Sequence, residues 1–322
     1  MQDAAYLPNH SGPPNIDFPM TPASKTSDDR PVLRLGHSPD PDDAFMWFPI
    51  TGIAGAPPAL DTGRFRFQPV QQDIETLNRR SDRAELEITA ISVAQYPHVS
   101  DRYTFTSCGS SMGDGYGPKL VAREPISLDA IRDGRATLAI PGRRTSAWLA
   151  TGLMLGDASQ VRATEVPFDQ IIEAAAGGEF DAGLVIHEGQ LTFQNHGLVL
   201  LADLGAWWTG RTGLPLPLGG NVIRRDLEAQ YGPGTLGEVT ATLLRSLQFA
   251  LQHRQEAIDY ALNYARGMDR ALADRFVAMY VNTHTLDFGP TGREAVRRFL
   301  WEAREAGLVP ESAAADFVDA RN

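Results

Sequence analysis

The most informative segment of the sequence is Phe180-Asp-Ala-Gly-Leu-Val-Ile-His-Glu-Gly-Gln190. Residues 182–186 form a continuous apolar run with β-branched members, which is too short for a helix and therefore predicts a buried strand. The run ends at His187 and Glu188. Ligands of α/β proteins bind beyond the carboxyl ends of parallel strands, and histidine is the side chain that ordinarily exchanges a proton near neutral pH. We therefore interpret His187 as a candidate catalytic base; the alternative is a histidine that caps the strand and bonds a nearby carbonyl.

The overall composition excludes several classes of partner. With 322 residues, 43% of them hydrophobic, the chain is long enough for two domains with buried cores. A formal net charge of −11 argues against nucleic acid and against anionic membrane surfaces, because both require basic residues. No stretch is long and apolar enough to span a bilayer. A local pocket can oppose the global charge, so a small anionic ligand is compatible with this composition.

Two further features bear on chemistry and location. The single cysteine, Cys108, excludes an intrachain disulfide and a cysteine-clustered metal site, and it is best interpreted as a small apolar filler. Residues 1–30 are rich in Pro, Asn, Ser and Asp, and they lack an apolar segment behind a basic start. We therefore expect a flexible N-terminal extension, no secretory signal and a cytoplasmic protein.

Strands alternate with helices along most of the chain, which predicts an α/β fold. The pattern restarts near residue 124 and leaves this second unit near residue 219, after which the chain is mostly helical. We therefore predict two lobes with a cleft between them: a large α/β lobe made of residues 31–123 and 220–322, and a small α/β lobe made of residues 124–219. The predicted strands include 32–36, 65–70, 87–92, 119–122, 136–140 and 182–186.

A second candidate site lies at the start of the helix predicted for residues 147–155. Thr145 and Ser146 follow Pro141-Gly-Arg-Arg144, so that free amides, two hydroxyls and the helix dipole would together attract a carboxylate. The alternative is an ordinary helix N-cap. On the first of these interpretations, the pattern predicts a small-molecule carboxylate as the ligand.

The segment Ser38-Pro-Asp-Pro-Asp-Asp43 joins the first strand to a helix. Ser38, Asp40 and Asp43 are residue types that cap helices, and acidic side chains suit a first helical turn. Three aspartates could also hold a divalent metal, but capping accounts for them and no partner ligands with metal spacing are evident, so we predict no metal. The side chains predicted to line the cleft are Ser38, Asp40, Asp43 and Tyr116.

Several motifs occur in order along the chain: Ser38-Pro-Asp-Pro-Asp-Asp43, Gln72-Asp-Ile-Glu-Thr-Leu-Asn78, Pro141-Gly-Arg-Arg-Thr-Ser146, Ala182-Gly-Leu-Val-Ile-His-Glu188, Asp203-Leu-Gly-Ala-Trp-Trp208, Arg211-Thr-Gly-Leu-Pro-Leu-Pro-Leu-Gly219, Tyr280-Val-Asn282 and Leu286-Asp287. With these motifs the chain resembles the 1,4-dihydroxy-6-naphthoate synthase family of the futalosine route to menaquinone. The resemblance covers residues 33–308. It implies a periplasmic-binding-protein-like fold of type II, in which a double hinge joins two α/β lobes around a central cleft.

The same resemblance implies an activity and a site. The enzyme would be a carbon–carbon lyase that splits cyclic dehypoxanthine futalosine into 1,4-dihydroxy-6-naphthoate and dihydroxyacetone, without a cofactor or a metal. His187 would be the proton acceptor. The residues that the resemblance implies for substrate binding are Ala90, Ile91, Ser92, Thr145 and Ser146.

The chain departs from the family pattern in ways that make the site region more acidic. Asp40 and Asp42 stand where the family usually has Cys and Asn. Ala90 stands where it has Lys, and Asp114 where it often has Arg. These departures bear on how the substrate is held rather than on the fold.

Other functions are compatible with the same fold. One is a chorismate dehydratase-like enzyme of the same group, from which the Ile186-His187-Glu188 and Trp207-Trp208 segments point away. Another is a non-catalytic carboxylate-binding protein of the solute-binding class, which would need the export signal that residues 1–30 lack. A third is a relative that has lost activity through its acidic substitutions. Turnover by the purified protein distinguishes the three.

Overall fold

The computed structural model describes residues 29–53, 56–265, 268–311 and 314–321. The predicted N-terminal extension, residues 1–30, therefore lies almost wholly outside the described residues. Within them, the strands form two sheets. The strands are β1 Val32–His37, β2 Arg66–Gln71, β3 Ile88–Ser92, β4 Tyr103–Thr106, β5 Ser111–Gly113, β6 Lys119–Ala122, β7 Thr137–Ile140, β8 Arg162–Glu165, β9 Ala182–Val185, β10 Val199–Asp203, β11 Leu216–Arg224 and β12 Phe317–Val318.

Helices follow most of the strands, as the α/β prediction requires, and they dominate the last hundred residues. None of the helices in the described part of the chain is long and apolar enough to cross a membrane. The helices are α1 Pro41–Thr51, α2 Ile74–Ser81, α3 Leu128–Arg132, α4 Ser146–Leu155, α5 Ile171–Ala176, α6 Gly189–Thr192, α7 Leu204–Thr212, α8 Leu227–Tyr231, α9 Thr235–Gln252, α10 Arg254–Ala261, α11 Arg270–Tyr280, α12 Thr283–Leu286 and α13 Gly289–Glu305.

The first sheet has the strand order β12-β4-β11-β3-β1-β2, and β5 pairs with β11 at one end. The strand β1 lies between β2 and β3 and is parallel to both. Its two leucines, Leu33 and Leu35, are fully buried. The long helices α9 and α10 return from the C-terminal part of the chain and pack against α1, which follows β1. The loop Ser38–Asp40, which follows the carboxyl end of β1, therefore lies at the edge of this sheet.

The second sheet has the order β10-β6-β9-β7-β8. Its central strand β9 is antiparallel to β6 and parallel to β7. All four residues of β9 are buried, because both faces of the sheet are covered. This explains the uninterrupted apolar run of the sequence, since strands that are buried on both faces show no polar alternation.

The chain passes from the first sheet to the second between β5 and β6, and it returns between β10 and β11. The strand β6 was expected to end the large lobe, whose predicted boundary is residue 123. It instead pairs with β9 and β10 in the second sheet, so the first crossing precedes the predicted boundary by a few residues. The sheet to which β6 belongs is decided by its backbone pairing, which cannot be predicted from the sequence of a short strand of ordinary composition.

The helix α7 fixes the second sheet against the connection between β5 and β6. A Cβ on Gly205 would lie 1.9 Å from the carbonyl oxygen of Tyr116 and 2.5 Å from the amide nitrogen of Gly117. Only glycine therefore permits this approach. Three residues further on, Trp208 is fully buried and meets the ring of Phe299 edge-on, with ring centroids 5.4 Å apart.

We expect Gly205→Ala to destabilise the protein and Gly210→Ala, in the same helix, to stabilise it. The methyl group added by the first change would push α7 away from the backbone at Tyr116, which should lower the free energy of unfolding by about 1–3 kcal/mol. The second adds a methyl group in open space, with no atom within 4 Å, and should contribute about 0.5–1 kcal/mol. Urea denaturation of the two variants measures both effects. Equal shifts of the same sign would show that the contact at Gly205 does not constrain the fold.

Candidate active site

His187 lies two residues beyond the end of β9. Its backbone has φ +49°, a left-handed conformation that residues other than glycine seldom adopt. The turn that follows leads directly into α6. The ring of Phe168 packs against the imidazole, with centroids 4.8 Å apart and an angle of 61° between the planes. The predicted base is therefore held by both its backbone and its neighbour at the carboxyl end of the central strand.

The imidazole of His187 is paired with a carboxylate from the other sheet. The Nδ1 atom of His187 lies 3.2 Å from Oδ2 of Asp40, whose side chain is only 1% exposed. The hydroxyl of Ser38 donates a hydrogen bond to the same carboxylate oxygen. Nε2 of His187 has no hydrogen-bond partner among the described residues. A proton held on Nδ1 by Asp40 leaves the lone pair on Nε2, which is the arrangement of a general base.

The expectation that Asp40 caps a helix is only half correct. Asp40 occupies the N-cap position of α1, but its side chain makes no cap hydrogen bond. Pro41, at the first position of the helix, already supplies a helical φ angle and has no amide hydrogen to satisfy. The carboxylate is therefore available to His187.

The next two carboxyl groups of the same helix are in an unusual electrostatic environment. Asp43 accepts a hydrogen bond from the amide of Ser38 at 2.7 Å. Burial raises the pKa of Asp43 to about 7, and the nearby charge of Asp40 adds to this while the bond from Ser38 opposes it. Burial also raises the pKa of Asp42 well above its usual range, helped by the charges of Asp43 and Asp40. Within the described residues, no cluster of His, Cys, Asp and Glu side chains is arranged to hold a metal ion.

A cavity lined by residues from elements of both sheets lies beside this cluster. Asp40 lies behind His187 and does not line it, and the hydroxyl of Tyr116 points elsewhere and donates to the carbonyl of Met279. None of the described residues that line the cavity is Lys or Arg. The other residues proposed from the sequence all line it: Ser38, Asp43, Ala90, Ile91, Ser92, Thr145, Ser146 and His187.

The opposite side of the cavity is the N-terminus of α4. Thr145 is the N-cap: its hydroxyl accepts from the amide of Trp148 at 3.2 Å and donates to the carbonyl of Gly142 at 2.8 Å. The hydroxyl oxygen of Ser146 accepts from the amide of Ala94 at 3.2 Å, which leaves its hydrogen available. The amides of Ser146 and Ala147 are among the first in the helix and lack intrahelical acceptors. Thr145 is therefore an N-cap, and the anion site stays a prediction for Ser146 and the first amides of the helix.

The two arginines before this helix do not join the cavity. The guanidinium of Arg144 donates to Gln95 at 2.7 Å and to Asp82 at 3.2 Å. That of Arg143 donates to the carbonyl of Ala163 and stacks over Trp148. An anion at this helix would therefore be held by amides, a hydroxyl and the dipole.

Several polar residues that complete the site were missed at the sequence level. The amide side chain of Asn78 accepts from the backbone of Ser92 at 2.9 Å and donates to its hydroxyl at 3.1 Å. It also donates to the carbonyl of Arg144 at 3.3 Å, which links the two sheets. On the other side, Gln190 donates to the buried hydroxyl of Tyr280. Asn78, Gln190 and Tyr280 all lie within quoted motifs or beside them, which was the available signal.

Further contacts hold the cavity walls together. Glu75 of α2 accepts the backbone amide of Arg144 at 3.2 Å. Arg79 on the same helix forms an ion pair with Glu165 of β8 at 2.7 Å. These contacts join elements of the two sheets beside the cavity.

Sequence comparison identifies the group to which these features belong. The sequence model of a family described as menaquinone biosynthesis matches residues 33–305. The chain belongs to this menaquinone biosynthesis family. It is 40% identical to a 1,4-dihydroxy-6-naphthoate synthase of Thermus thermophilus over 283 residues, which are 87% of this chain and 97% of the relative. A synthase of the same name from Streptomyces coelicolor is 36% identical, over 87% of this chain and 95% of its own length.

Structural comparison confirms the predicted fold. A crystal structure of an Archaeoglobus fulgidus protein matches with a TM-score of 0.78 and 42% identity, covering 86% of this chain and 98% of that one. The ligand-binding component of a Staphylococcus aureus import system matches with a TM-score of 0.63 at 13% identity, over 90% and 97% of the two chains. The alkanesulfonate-binding protein of Xanthomonas axonopodis gives 0.60 at 12% identity, over 89% and 97%. The chain thus has the periplasmic-binding-protein-like fold.

The two hydroxyls at the start of α4 should be separable by experiment. We expect Ser146→Ala to weaken binding of 2-naphthoate about fivefold, because one hydrogen bond to the carboxylate is lost. Thr145→Val should instead lower stability by about 1 kcal/mol through loss of the N-cap, with less effect on affinity. Calorimetric titration with 2-naphthoate measures affinity, and 2-naphthamide is the control ligand. A Ser146→Ala loss of the same size for the amide would show that Ser146 does not bind the carboxylate.

Proposed function

We propose that this protein is a carbon–carbon lyase that converts cyclic dehypoxanthine futalosine into 1,4-dihydroxy-6-naphthoate and dihydroxyacetone. The observation that carries the proposal is the His187–Asp40 pair: Nε2 of the histidine is buried without a partner among the described residues, and His187 lines the cavity. The names of the Thermus and Streptomyces relatives support this substrate class. We place the reaction in the cytoplasm and assign it no cofactor.

The cavity would fix the orientation of the substrate through its carboxylate. Free amides at the start of α4 and the hydroxyl of Ser146 favour an anion. The carboxylate of Asp40, which pairs with His187, disfavours an anion beside that histidine. The substrate carboxylate would therefore be directed to α4 and the reacting carbon towards His187.

The chemical step would begin with proton removal from carbon by Nε2 of His187. The C–H bond breaks, the proton passes to the imidazole, and the electron pair enters the ring. The carbon–carbon bond to the three-carbon fragment would then break: a hydroxyl of the fragment becomes the carbonyl of dihydroxyacetone, the bonding electron pair stays with the ring, and the imidazolium returns its proton as the ring becomes aromatic. The carboxylate of Asp40 then stabilises the imidazolium and keeps its ring oriented, as the third member of a catalytic triad does. Aromatisation of the product favours the forward direction.

We also propose that the two sheets mark two lobes that close on the substrate. Asp40 and Tyr280 belong to elements packed on the first sheet, whereas His187 and Gln190 follow a strand of the second. The base would therefore receive its carboxylate only when the lobes meet. The chain crosses between the sheets twice, as a double hinge requires.

The alternative functions are less well supported. Both synthases that match over most of the chain carry the same activity name, which disfavours a chorismate dehydratase-like reaction. The transporter components match at only 12–13% identity. Their similarity therefore indicates a shared fold and does not support a binding-only function for this chain.

The wild-type protein should turn over cyclic dehypoxanthine futalosine, and His187→Ala should reduce kcat at least about 10³-fold, because the base is removed. Release of 1,4-dihydroxy-6-naphthoate, followed by chromatography, measures the rate. His196→Ala, at an exposed position of the same lobe, is the matched control and should behave as wild type. Near-normal kcat in the His187 variant would exclude it as the base.

Asp40→Asn should lower kcat about 10²-fold or more with a smaller change in KM. An asparagine of the same shape no longer favours the proton on Nδ1, so the tautomer with a basic Nε2 is destabilised. Steady-state kinetics at pH 7 separate the two parameters. A loss confined to KM would indicate that Asp40 acts in binding and does not orient the base.

A further inference from the structure

Asp42 is not accounted for by the interactions that hold the neighbouring aspartates. Asp40 contacts His187, and Asp43 accepts the amide of Ser38. Asp42 lines the cavity in the first turn of α1, and its Oδ1 atom is buried without a hydrogen-bond partner among the described residues. Polar atoms in this position ordinarily have a partner, so a ligand atom is the natural candidate.

The surroundings of Asp42 oppose a second negative charge in the cavity. Asp40 and Asp43 lie within the same turn, and no cationic side chain lines the described cavity wall. His187 and the backbone amide of Asp42 itself favour ionisation, and both effects are smaller than those of burial and of either aspartate. This setting favours the protonated carboxylic acid, which is a hydrogen-bond donor.

We propose that Asp42 is a further catalytic residue, a neutral acid that donates a hydrogen bond to a ring oxygen of the substrate while His187 removes the proton from carbon. This role rests on the proposed lyase function. As the C–H electron pair enters the ring, negative charge develops on an attached oxygen, and a fixed donor stabilises it. Asp42 transfers no proton in this step. An ionised carboxylate at the same place would repel the developing charge.

The proposal has a definite pH dependence. Because the pKa of Asp42 is raised, its protonated, donating form persists to higher pH than in an ordinary aspartate and is lost as the pH rises through the raised value, so kcat should fall on the alkaline side. The titratable groups that face Asp42 are Asp40 and Asp43 on its own turn, His187 after β9 and Tyr280 in α11. Because the pKa of Asp43 is raised to about 7, its contribution must be measured separately.

The test compares Asp42→Asn with Asp42→Ala over pH 6–10. Asparagine retains an N–H donor of similar shape and cannot ionise, so we expect kcat within about threefold of wild type at pH 7 and loss of the alkaline decline. Alanine removes the donor, and kcat should fall about 10²-fold. Asp43→Asn is the matched variant, and it should leave the alkaline decline in place. Circular dichroism and the Kd for 1,4-dihydroxy-6-naphthoate report whether each variant is folded.

Two results would overturn the proposal and can be told apart. If the wild type turns over the substrate but Asp42→Asn falls as far as Asp42→Ala, a charged carboxylate is required and only the role of Asp42 is wrong. Persistence of the alkaline decline in a well-folded Asp42→Asn variant has the same meaning. If the wild type itself shows no turnover, the lyase function fails and the role of Asp42 fails with it.

Discussion

The contact between His187 and Asp40 is the constraint on which the site depends. The histidine is supplied by the central strand of one sheet, and the aspartate by the loop after the first strand of the other. Neither side chain would serve alone. An imidazole without a partner can adopt either tautomer, and burial of a carboxylate without a hydrogen-bond or charge partner is unfavourable. The carboxylate of Asp40 makes no N-cap hydrogen bond, since Pro41 begins the helix, and it accepts a hydrogen bond from the hydroxyl of Ser38.

A second principle is the separation of charge within the cavity. The protein is acidic overall, with a net charge of −11, and no lysine or arginine lines the described cavity. An anionic ligand is therefore not attracted by formal positive charge. In our proposal the amides at the start of α4 bind the anion, whereas Arg143 and Arg144 form hydrogen bonds that hold the loop before this helix. Recognition by backbone amides is directional, which suits an enzyme that must present one carbon to one nitrogen.

The sequence was informative where the relevant physics is local. The buried run before His187, the helix start at Thr145 and the strand end at Ser92 were all visible in residue order, because strand burial and helix capping depend on near neighbours. The pairing of Asp40 with His187 was not, since it joins residues that only the tertiary fold brings together. For the same reason Asn78, Gln190 and Tyr280 had no individual signal, and β6 could not be assigned to its sheet.

The left-handed backbone at His187 has an evolutionary consequence. Glycine would adopt φ +49° without penalty, whereas histidine is disfavoured there by about 1 kcal/mol. If the histidine is the base, selection for turnover maintains this backbone strain, a trade-off between activity and robustness. In a descendant recruited as a simple binding protein, glycine at this position would remove the strain but also the imidazole that pairs with the buried Asp40. Inactivation would therefore stabilise the fold only if Asp40 were replaced together with the histidine.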